Sequence, residues 1–409
     1  MPAPDCPPLD ESLVPPLSVE LAQAAPWSVA PPAPPMAKSK FTILYEPEVE
    51  DVAALRAQLR STQFPADCSR VMLLYDDAIT MGLGYSALVL ARALLVATKE
   101  RRALINMPTK SARWCGRPPW TLNCVYEPWT HCPVPAVENL TIVKWSHRMT
   151  WKPQHAPDTP DVVRVMTTQL HKEVGFQHVR VAETTRGAAY EVLFTPRQWV
   201  RDAAACAMAA ASLRDGGFVV THVRISDEKK RERGAALPGL NAYFPATAVA
   251  LRRANSSTLF LQTATPVAFD KMGRWCDERH VALSYTRSER AEHDLWVGAA
   301  GKRSTNHSGE RSSVVAQAVN AVVASRAAGF VSPAVSMWTH FIAALMGGYH
   351  GRTSVRHRCE DLGDDAKGSH GLLCVEVPSG GGGGGGRGGG GCGGGGGGGV
   401  GDGGRGGGR

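Results

Sequence analysis

The sequence lacks the residue spacings that build common metal centres. Its ten cysteines form no Cys-x-x-Cys pair and no Cys/His pairing at structural-zinc spacing. No His-Glu-x-x-His segment occurs, and Asp76-Asp77 is an adjacent pair rather than an Asp-x-Asp pair. Since zinc and calcium sites require such ligand spacings, the sequence predicts a protein that works without a bound metal.

Long apolar runs are also missing. No stretch approaches the roughly 18 uninterrupted apolar residues of a membrane span, and the first residues lack a basic segment followed by an apolar core. We therefore expect no membrane span and no targeting signal in this chain. A cytosolic location and an incomplete N-terminus remain equal alternatives at this point.

Two terminal segments have compositions that disfavour a packed core. Residues 1–40 are rich in proline and alanine, which predicts a disordered stem or linker. Residues 379–409 are almost pure glycine with a few arginines, which predicts a disordered tail. Such a tail is either a flexible end or an RNA-binding segment. Nucleic acid is the less favoured partner because no aromatic residues interleave with the arginines.

The rest of the 409-residue chain is rich enough in apolar residues to build an enzyme-sized core, since 43% of all residues are hydrophobic. The 45 lysines and arginines exceed the 37 acids, which gives a net charge of +8. This excess favours acidic partners such as nucleotide phosphates, polyanions or membrane surfaces.

Short apolar runs alternate with amphipathic segments, which predicts an α/β fold with parallel sheets covered by helices. We expect an N-terminal α/β subdomain over 41–214, with a Cys/Trp-rich loop, and a Rossmann-like subdomain over 215–350. Residues 351–378 are predicted to be irregular. The predicted strands are 41–45, 71–75, 103–106, 217–223, 257–262, 281–284 and 329–332. The predicted helices are 53–60, 87–98, 196–213, 246–254, 267–278, 313–328 and 338–346.

The most informative segment is the strand that ends on His222, Arg224 and Asp227. Alternation along a strand places His222 and Arg224 on the same face. Ligands of open α/β sheets bind outside the carboxyl ends of the strands, where an arginine grips phosphate bidentately. The alternative is a solvated charge run, which the seven charged residues 227–233 favour.

A second candidate is the Gly82-Leu83-Gly84 turn between a predicted strand and a predicted helix. Helix amides at such a turn can face an anion. The segment lacks the third glycine of a dinucleotide fingerprint, so a simple tight turn is the stronger interpretation of this segment alone.

The cysteines and sequons bear on the compartment. Cys115, Cys124 and Cys132 lie close together in the Cys/Trp-rich loop. They are disulfide partners in an oxidising compartment and free thiols otherwise. Asn139, Asn255 and Asn306 begin Asn-x-Ser/Thr sequons, which permit glycosylation in a secretory lumen.

Four segments of the chain carry a further signal when they are taken in order. They are Gly82-Leu83-Gly84 with Arg101-Arg102-Ala103-Leu104-Ile105, Trp120…Val125-Tyr126-Glu127-Pro128-x-x-x-Cys132, Tyr190…Leu193-Phe194-Thr195-Pro196-Arg197-Gln198-Trp199 and His222-Val223-Arg224-x-Ser226-Asp227. They resemble, in the same order, a Gly-x-Gly-x-Gln-Leu…Gln-Arg-Thr-Leu-Ile segment, a Trp…Phe-x-Pro-x-x-x-Cys run, a Tyr-Leu-x-Arg-Pro-x-x-Trp run and a His-Val-Arg-Arg-Thr-Asp signature of the α-1,6-fucosyltransferases that modify N-glycan cores. With a weaker match near 329–346, the resemblance spans about 70–347, the size of a catalytic region.

The resemblance implies a GT-B-like pair of Rossmann-like subdomains with a cleft between them. It implies GDP-fucose as donor, a glycan or glycoprotein as acceptor, inversion at the sugar, no metal cofactor, and a Golgi or secretory location. Arg224 matches the arginine on the β-phosphate, His222 a guanine contact, and Glu232 the base for the acceptor hydroxyl. The other implied donor-binding residues are Asp227, Lys229, Tyr243, Asn320 and Ser336.

Several positions depart from the family pattern. Ile225 stands in place of a second arginine, Glu228 in place of a lysine, and Asn320 in place of the aspartate that reads guanine. Lys229 offers a cation one residue later. Each lost charge-assisted contact costs about 1.5–3 kcal/mol. The alternative prediction is therefore a catalytically impaired relative that binds a nucleotide or a glycan.

Overall fold

The computed structural model describes eleven stretches of the chain, all within the first of its two units, Met1–Val377. The predicted stem, the predicted strand 41–45, the glycine tail, Asp227, Lys229 and Glu232 lie outside the described residues. The described stretches are 52–76, 83–108, 122–133, 141–142, 162–166, 183–225, 237–263, 266–286, 307–349, 354–364 and 367–376.

The first sheet has four parallel strands in the order β2-β1-β4-β3. The predicted strand, helix and strand over 71–106 are confirmed as β1, α2 and β2, whereas residues 77–82, which contain the start of the predicted glycine turn, lie outside the described residues. The sequence interpretation missed β3, β4 and helix α3. The elements of this part are α1 (Val52–Gln63), β1 (Val71–Asp76), α2 (Leu83–Lys99), β2 (Ala103–Pro108), β3 (Thr141–Ile142), β4 (Val162–Met166), α3 (Glu183–Leu193) and α4 (Gln198–Ala210).

The second sheet has six strands in the order β7-β6-β5-β8-β10-β9. Strands β5 to β8 are parallel to one another, as the alternating pattern predicts. The elements are β5 (Val219–His222), α5 (Leu240–Arg253), β6 (Thr258–Gln262), α6 (Pro266–Asp277), β7 (Ala282–Ser284), α7 (His307–Ser325), β8 (Gly329–Pro333), α8 (Met337–Tyr349), β9 (Val355–Arg358) and β10 (Leu372–Glu376).

The prediction that residues 351–378 are irregular is wrong for two segments. β10 pairs antiparallel with β8, and β9 pairs antiparallel with β10 at the edge of the sheet. The sequence does not predict strand Val355–Arg358, because the charged side chains that are common on edge strands interrupt the apolar pattern that indicates a strand. The chain therefore extends the parallel sheet with an antiparallel hairpin.

Helix α5 begins six residues before the predicted start at 246. The prediction placed the start after Pro245, which lies inside the observed helix. Pro245 is the sixth residue of this helix, beyond the first turn where proline is tolerated without loss, so the helix lacks the amide that would bond Asn241 O. Burial of Leu240 and Tyr243 ahead of Pro245 stabilises the extra turn.

Strand alternation in the second sheet supplies two hydrophobic cores. Val220 and Phe260 face a large core that also contains Met72 of β1 and Leu104 of β2. Val219 and neighbouring alternate residues face a smaller core under α5 and α6. Both faces of the six-stranded sheet are thus covered, and the large core is continuous with the first sheet. The fold is α/β with mostly parallel sheets.

Disulfides connect segments that are distant in sequence. Cys68, before β1, is joined to Cys132, and Cys359, after β9, is joined to Cys374 on β10. Cys124 and Cys206 are also disulfide-bonded, whereas Cys276 is a buried thiol. The disulfide alternative is therefore confirmed for Cys124 and Cys132. No helix among the described residues is long and apolar enough to cross a membrane.

The first turns of α2 and α8 touch at Gly84. A Cβ on Gly84 would lie 2.7 Å from Trp338 N and 2.8 Å from Met337 C. These are backbone atoms of a helix, so they cannot swing aside as a flexible side chain would. Glycine at 84 is required for this close approach.

We predict that Gly84→Ala lowers the free energy of unfolding by about 1–3 kcal/mol, because the added methyl group overpacks the junction. Gly187→Ala in α3 is the matched control, since its nearest neighbour would lie at 3.7 Å. That control should be neutral or stabilising by up to about 1 kcal/mol through helix propensity. Urea unfolding measures both. Equal effects of the two substitutions would contradict the required close approach.

Candidate functional site

The candidate site lies at the carboxyl ends of β5 and β8. From β5 the chain continues to β6 and β7 on one side, whereas β8 pairs with β5 on the other. The direction of strand order therefore reverses between β5 and β8. Open α/β sheets bind ligands in the crevice at such a switch point.

His222 ends β5 and forms the centre of a polar cluster in this crevice. Its Nδ1 lies 2.9 Å from Ser332 Oγ on β8. Thr339 Oγ1, in the first turn of α8, lies 2.7 Å from both Ser332 Oγ and Pro333 O. The Trp338 ring is 6.3 Å from the His222 ring. Strand ends β5 and β8 and the start of α8 thus converge on one histidine.

The His222 ring is neutral in the folded protein. Desolvation lowers its pKa from 6.5 to about 3, and the positive charge of Arg224 acts in the same direction. A neutral imidazole has one donor and one acceptor nitrogen. With Nδ1 engaged by Ser332, Nε2 is the nitrogen that can recognise a polar ligand group, in agreement with a binding role.

Arg224 follows β5 by two residues and is held through its backbone. Tyr243 Oη accepts from Arg224 N and donates to Arg224 O, each at 3.2 Å. Tyr243 is fully buried. Its hydroxyl fixes the backbone that carries the arginine, and its predicted donor contact stays a prediction.

Ser336 is fully buried and its Oγ has no hydrogen-bond partner. It directly precedes α8, at the N-cap position, where a serine hydroxyl ordinarily accepts from an amide of the first turn. Here Thr339 N instead bonds the Ser336 carbonyl, at 3.1 Å. A buried hydroxyl without a partner costs about 1–3 kcal/mol. Because this hydroxyl is enclosed by the chain, the predicted donor contact of Ser336 stays a prediction.

The contact between Gly84 and Trp338 brings two helix N-termini to this edge. Each N-terminus carries partial positive charge and amides without helical partners. Together with Arg224, they make the crevice a receptor for negative charge. Gly82 lies outside the described residues, so the role of the glycine turn itself stays a prediction.

A second hydrogen-bond chain connects β6 to α7 and α8. Trp338 Nε1 donates to Gln262 Oε1 at 3.1 Å, and Gln262 Nε2 donates to Asn320 O at 2.9 Å. Thr286 Oγ1 donates to Asn320 Oδ1 at 2.9 Å. Asn320, the predicted guanine contact, is therefore near the strand ends, with its side-chain carbonyl already occupied.

Ile225 packs at the rim of the smaller core. The position where the resembling family has a second arginine is therefore an apolar packing position here. Lys229, Glu232 and Asp227 follow in the part of the chain outside the described residues, so their predicted roles stay predictions.

Cys68, His131 and Cys132 place three potential metal-ligand atoms within 4.8 Å of one another. Both sulfurs are in the Cys68–Cys132 disulfide, and a metal binds thiolates rather than a disulfide. His131 is then a single ligand, which is too few to hold an ion. The expectation that the protein works without a metal stays a prediction.

Sequence reasoning missed Ser332, Gln262 and Trp338. Ser332 and Gln262 carry the same signal that singled out His222, a polar residue near the end of a short apolar strand. Pairing of their strands in one sheet brings the three strand ends together. Trp338 has no local signal, because its place depends on the Gly84 contact.

We predict that His222→Asn reduces the loss of stability in acid. The folded-state pKa of His222 lies below the unfolded value, so its stabilising effect is full above about pH 6.5 and declines as pH falls towards 3. Between pH 6 and 4 the natural protein should lose up to ~1.4 kcal/mol per pH unit more than the variant. Urea unfolding across this range measures the difference.

His280→Asn is the matched control, because His280 is exposed and its backbone has φ of 53°, which asparagine tolerates. The free energy of unfolding of this control should change with pH as it does in the natural protein. If that of His222→Asn also changes in this way, the ring is not held neutral by the fold.

Comparison with protein-family models and with curated proteins found no match to this chain. The α/β class and the strand-end cluster therefore rest on this chain's own residues. The likeness to the α-1,6-fucosyltransferases rests on the four motif segments.

Proposed function

We propose that this protein is an inverting glycosyltransferase of the fucosyltransferase type, with GDP-fucose as donor and a glycan as acceptor. By the resemblance, the linkage is α-1,6 to the N-glycan core, the fold is GT-B-like and the reaction needs no metal. The observation that carries the proposal is the strand-end cluster of His222, Ser332 and Thr339 with Arg224 two residues after β5, at a sheet switch point. A nucleotide diphosphate is the ligand class that suits a neutral histidine, an arginine and helix N-termini together.

The proposed reaction distributes charge as follows. Glu232 takes the proton of the acceptor hydroxyl, whose oxygen forms a bond to C1 of fucose from the face opposite the diphosphate. The bond between C1 and the diphosphate oxygen breaks, and its electron pair leaves with GDP. Arg224 and the α2 and α8 amides stabilise the negative charge on the leaving group. The configuration at C1 inverts because a single displacement occurs.

One observation supports a second candidate function, a binding protein that has lost catalysis. Ile225 packs at the rim of the smaller core, so this strand end supplies one arginine where the family supplies two. The side-chain oxygen Oδ1 of Asn320 accepts a hydrogen bond from Thr286 Oγ1, which limits its use as an acceptor for guanine donors. Both features weaken donor binding and leave the fold intact.

The experiment is a calorimetric titration of the protein with GDP-fucose, GDP and UDP-linked sugars. We predict that Arg224→Ala weakens GDP-fucose binding about 10- to 100-fold, the effect of losing a charge-assisted contact worth about 1.5–3 kcal/mol. Arg214→Ala is the matched control, because Arg214 is exposed in the turn that precedes β5. That control changes net charge equally and should bind like the natural protein.

A transfer assay with N-glycan acceptors separates the two candidate functions. Glu232→Gln should retain donor binding and lose about 10²- to 10⁴-fold in turnover, the usual contribution of a general base. Arginine-dependent binding of GDP-fucose without turnover on any acceptor would support the binding protein. Absence of GDP-fucose binding would refute both.

A further inference from the structure

A polar cavity of about 440 Å³ lies beside the first residues of β1 and β2, at the C-terminal end of α2. The strand-end cluster lies near the other end of this helix. The cavity opens between the last turn of α1, the loop before β1 and the end of α2. Helix α2 has 17 residues, so its two ends are about 25 Å apart. The volume lies within the range of about 300–1,000 Å³ typical of small-ligand sites. The polar lining residues that matter are Ser61, Thr62, Asp67, Arg70, Thr98 and Arg101.

Two guanidinium groups give the cavity its charge. Arg70 and Arg101 both line it, and Arg70 Nε is buried without a hydrogen-bond partner. Neither arginine has an ion pair among the described residues. The one lining acid, Asp67, has its two oxygens bonded by Ser69 N and Ser69 Oγ, at 2.9 and 2.7 Å. The positive charges are therefore available to a ligand.

Thr98 supplies an independent observation. Its side chain is only 4% exposed, it lines the cavity, and its Oγ1 has no hydrogen-bond partner. A hydroxyl in this state is completed by an acceptor from outside the chain, such as a water or a ligand oxygen. Thr98 Oγ1 and Arg70 Nε are thus two donors of the cavity lining that lack an acceptor.

The helix carbonyls at this edge do not turn it into a cation site. Thr98 O accepts from Arg101 N at 3.0 Å, and Ala97 O accepts from Arg102 N at 2.8 Å. Gln58 O accepts from Ser61 Oγ and Thr62 Oγ1, at 2.9 and 2.8 Å. The carbonyl partial charges of both helix ends are thus offset by donors of the chain, and the net charge of the cavity is positive.

The two walls of the cavity differ in hydrogen-bonding character. Arg70, Arg101 and Thr98 present donors, which suit an oxyanion. The Ser61 and Thr62 hydroxyls donate their single protons to Gln58 O. Their oxygens retain acceptor lone pairs, which suit ligand hydroxyls. No aromatic side chain is among the lining residues, so a nucleotide base has no ring to stack on.

We propose that this cavity binds an acidic saccharide, with its carboxylate or sulfate on Arg70, Arg101 and Thr98 and its hydroxyls on Ser61 and Thr62. The site is separate from the strand-end cluster and does not depend on the proposed transferase activity. In a protein that handles glycans it would recognise a charged sugar distant from the reacting one.

The test is a titration of the whole protein, by ligand-observed NMR, with glucuronate and galactose 6-sulfate. Glucose, galactose and inorganic sulfate are the matched neutral and non-sugar probes. We expect the acidic sugars to bind at least tenfold more tightly than either the neutral sugars or sulfate alone. Equal binding of acidic and neutral sugars would overturn the proposal, and so would sulfate binding as tight as that of the acidic sugars.

Three variants locate the binding. Arg101→Asn removes the charge in a residue with φ of 55°, a backbone conformation that asparagine tolerates. Arg101→Asn and Arg70→Gln should each weaken glucuronate binding at least tenfold, and Thr98→Val about fivefold. Arg60→Gln, on the exposed side of α1, should leave it unchanged. Binding that persists unaltered in all three cavity variants would refute the assignment.

GDP-fucose titration of Arg101→Asn distinguishes this proposal from the transferase. Donor binding should equal that of the natural protein, since the cavity lies at the far end of α2 from Gly84. Loss of donor binding in this variant would show that the two edges are not separate sites and would overturn the inference.

Discussion

The backbone contact between Gly84 and Trp338 is the constraint on which the candidate site depends. Gly84 belongs to the first turn of α2, which follows β1 of the first sheet, and Trp338 to the first turn of α8, which follows β8 of the second. Any side chain at 84 would push α8 away from the strand ends. Because the helices meet without a side chain between them, their amide ends act on the same small volume.

Packing of α8 at this position also orders the polar cluster. In the first turn of α8, Thr339 hydrogen-bonds Ser332 and Trp338 hydrogen-bonds Gln262. The ends of β8 and β6 are therefore both bonded to the same helix turn. His222 bonds Ser332 through Nδ1 and is kept neutral by desolvation, which lowers its pKa. The positive potential of the site comes from Arg224 and the helix ends, and the histidine contributes hydrogen bonding without charge. Such a division of roles suits a ligand that combines a polar ring with a phosphate.

The sequence was sufficient to predict the alternating elements and the place of His222, because both depend on local patterns. Short apolar runs mark β1, β2, β5, β6 and β8, and each is followed by polar residues or a turn. The pairing of β8 beside β5 depends on long-range packing, so Ser332 could not be placed next to His222. Helix α3 contains Thr185 and Gly187, which have low helix propensity. It is helical because its buried face packs into the large core, a tertiary effect outside the reach of local patterns.

The arginines at the far end of α2 raise the question of whether their role is structural. A cation near a helix C-terminus is stabilising by about 0.3–1 kcal/mol through the helix dipole, which accounts for Arg101 at the exposed rim. It does not account for Arg70, whose buried Nε lacks an acceptor, nor for the buried Thr98 hydroxyl beside it. A dipole is satisfied by charge alone, whereas these two groups need acceptor atoms at defined positions. That requirement distinguishes a ligand site from a helix cap, and it is why the cavity is interpreted as a site for an oxyanion.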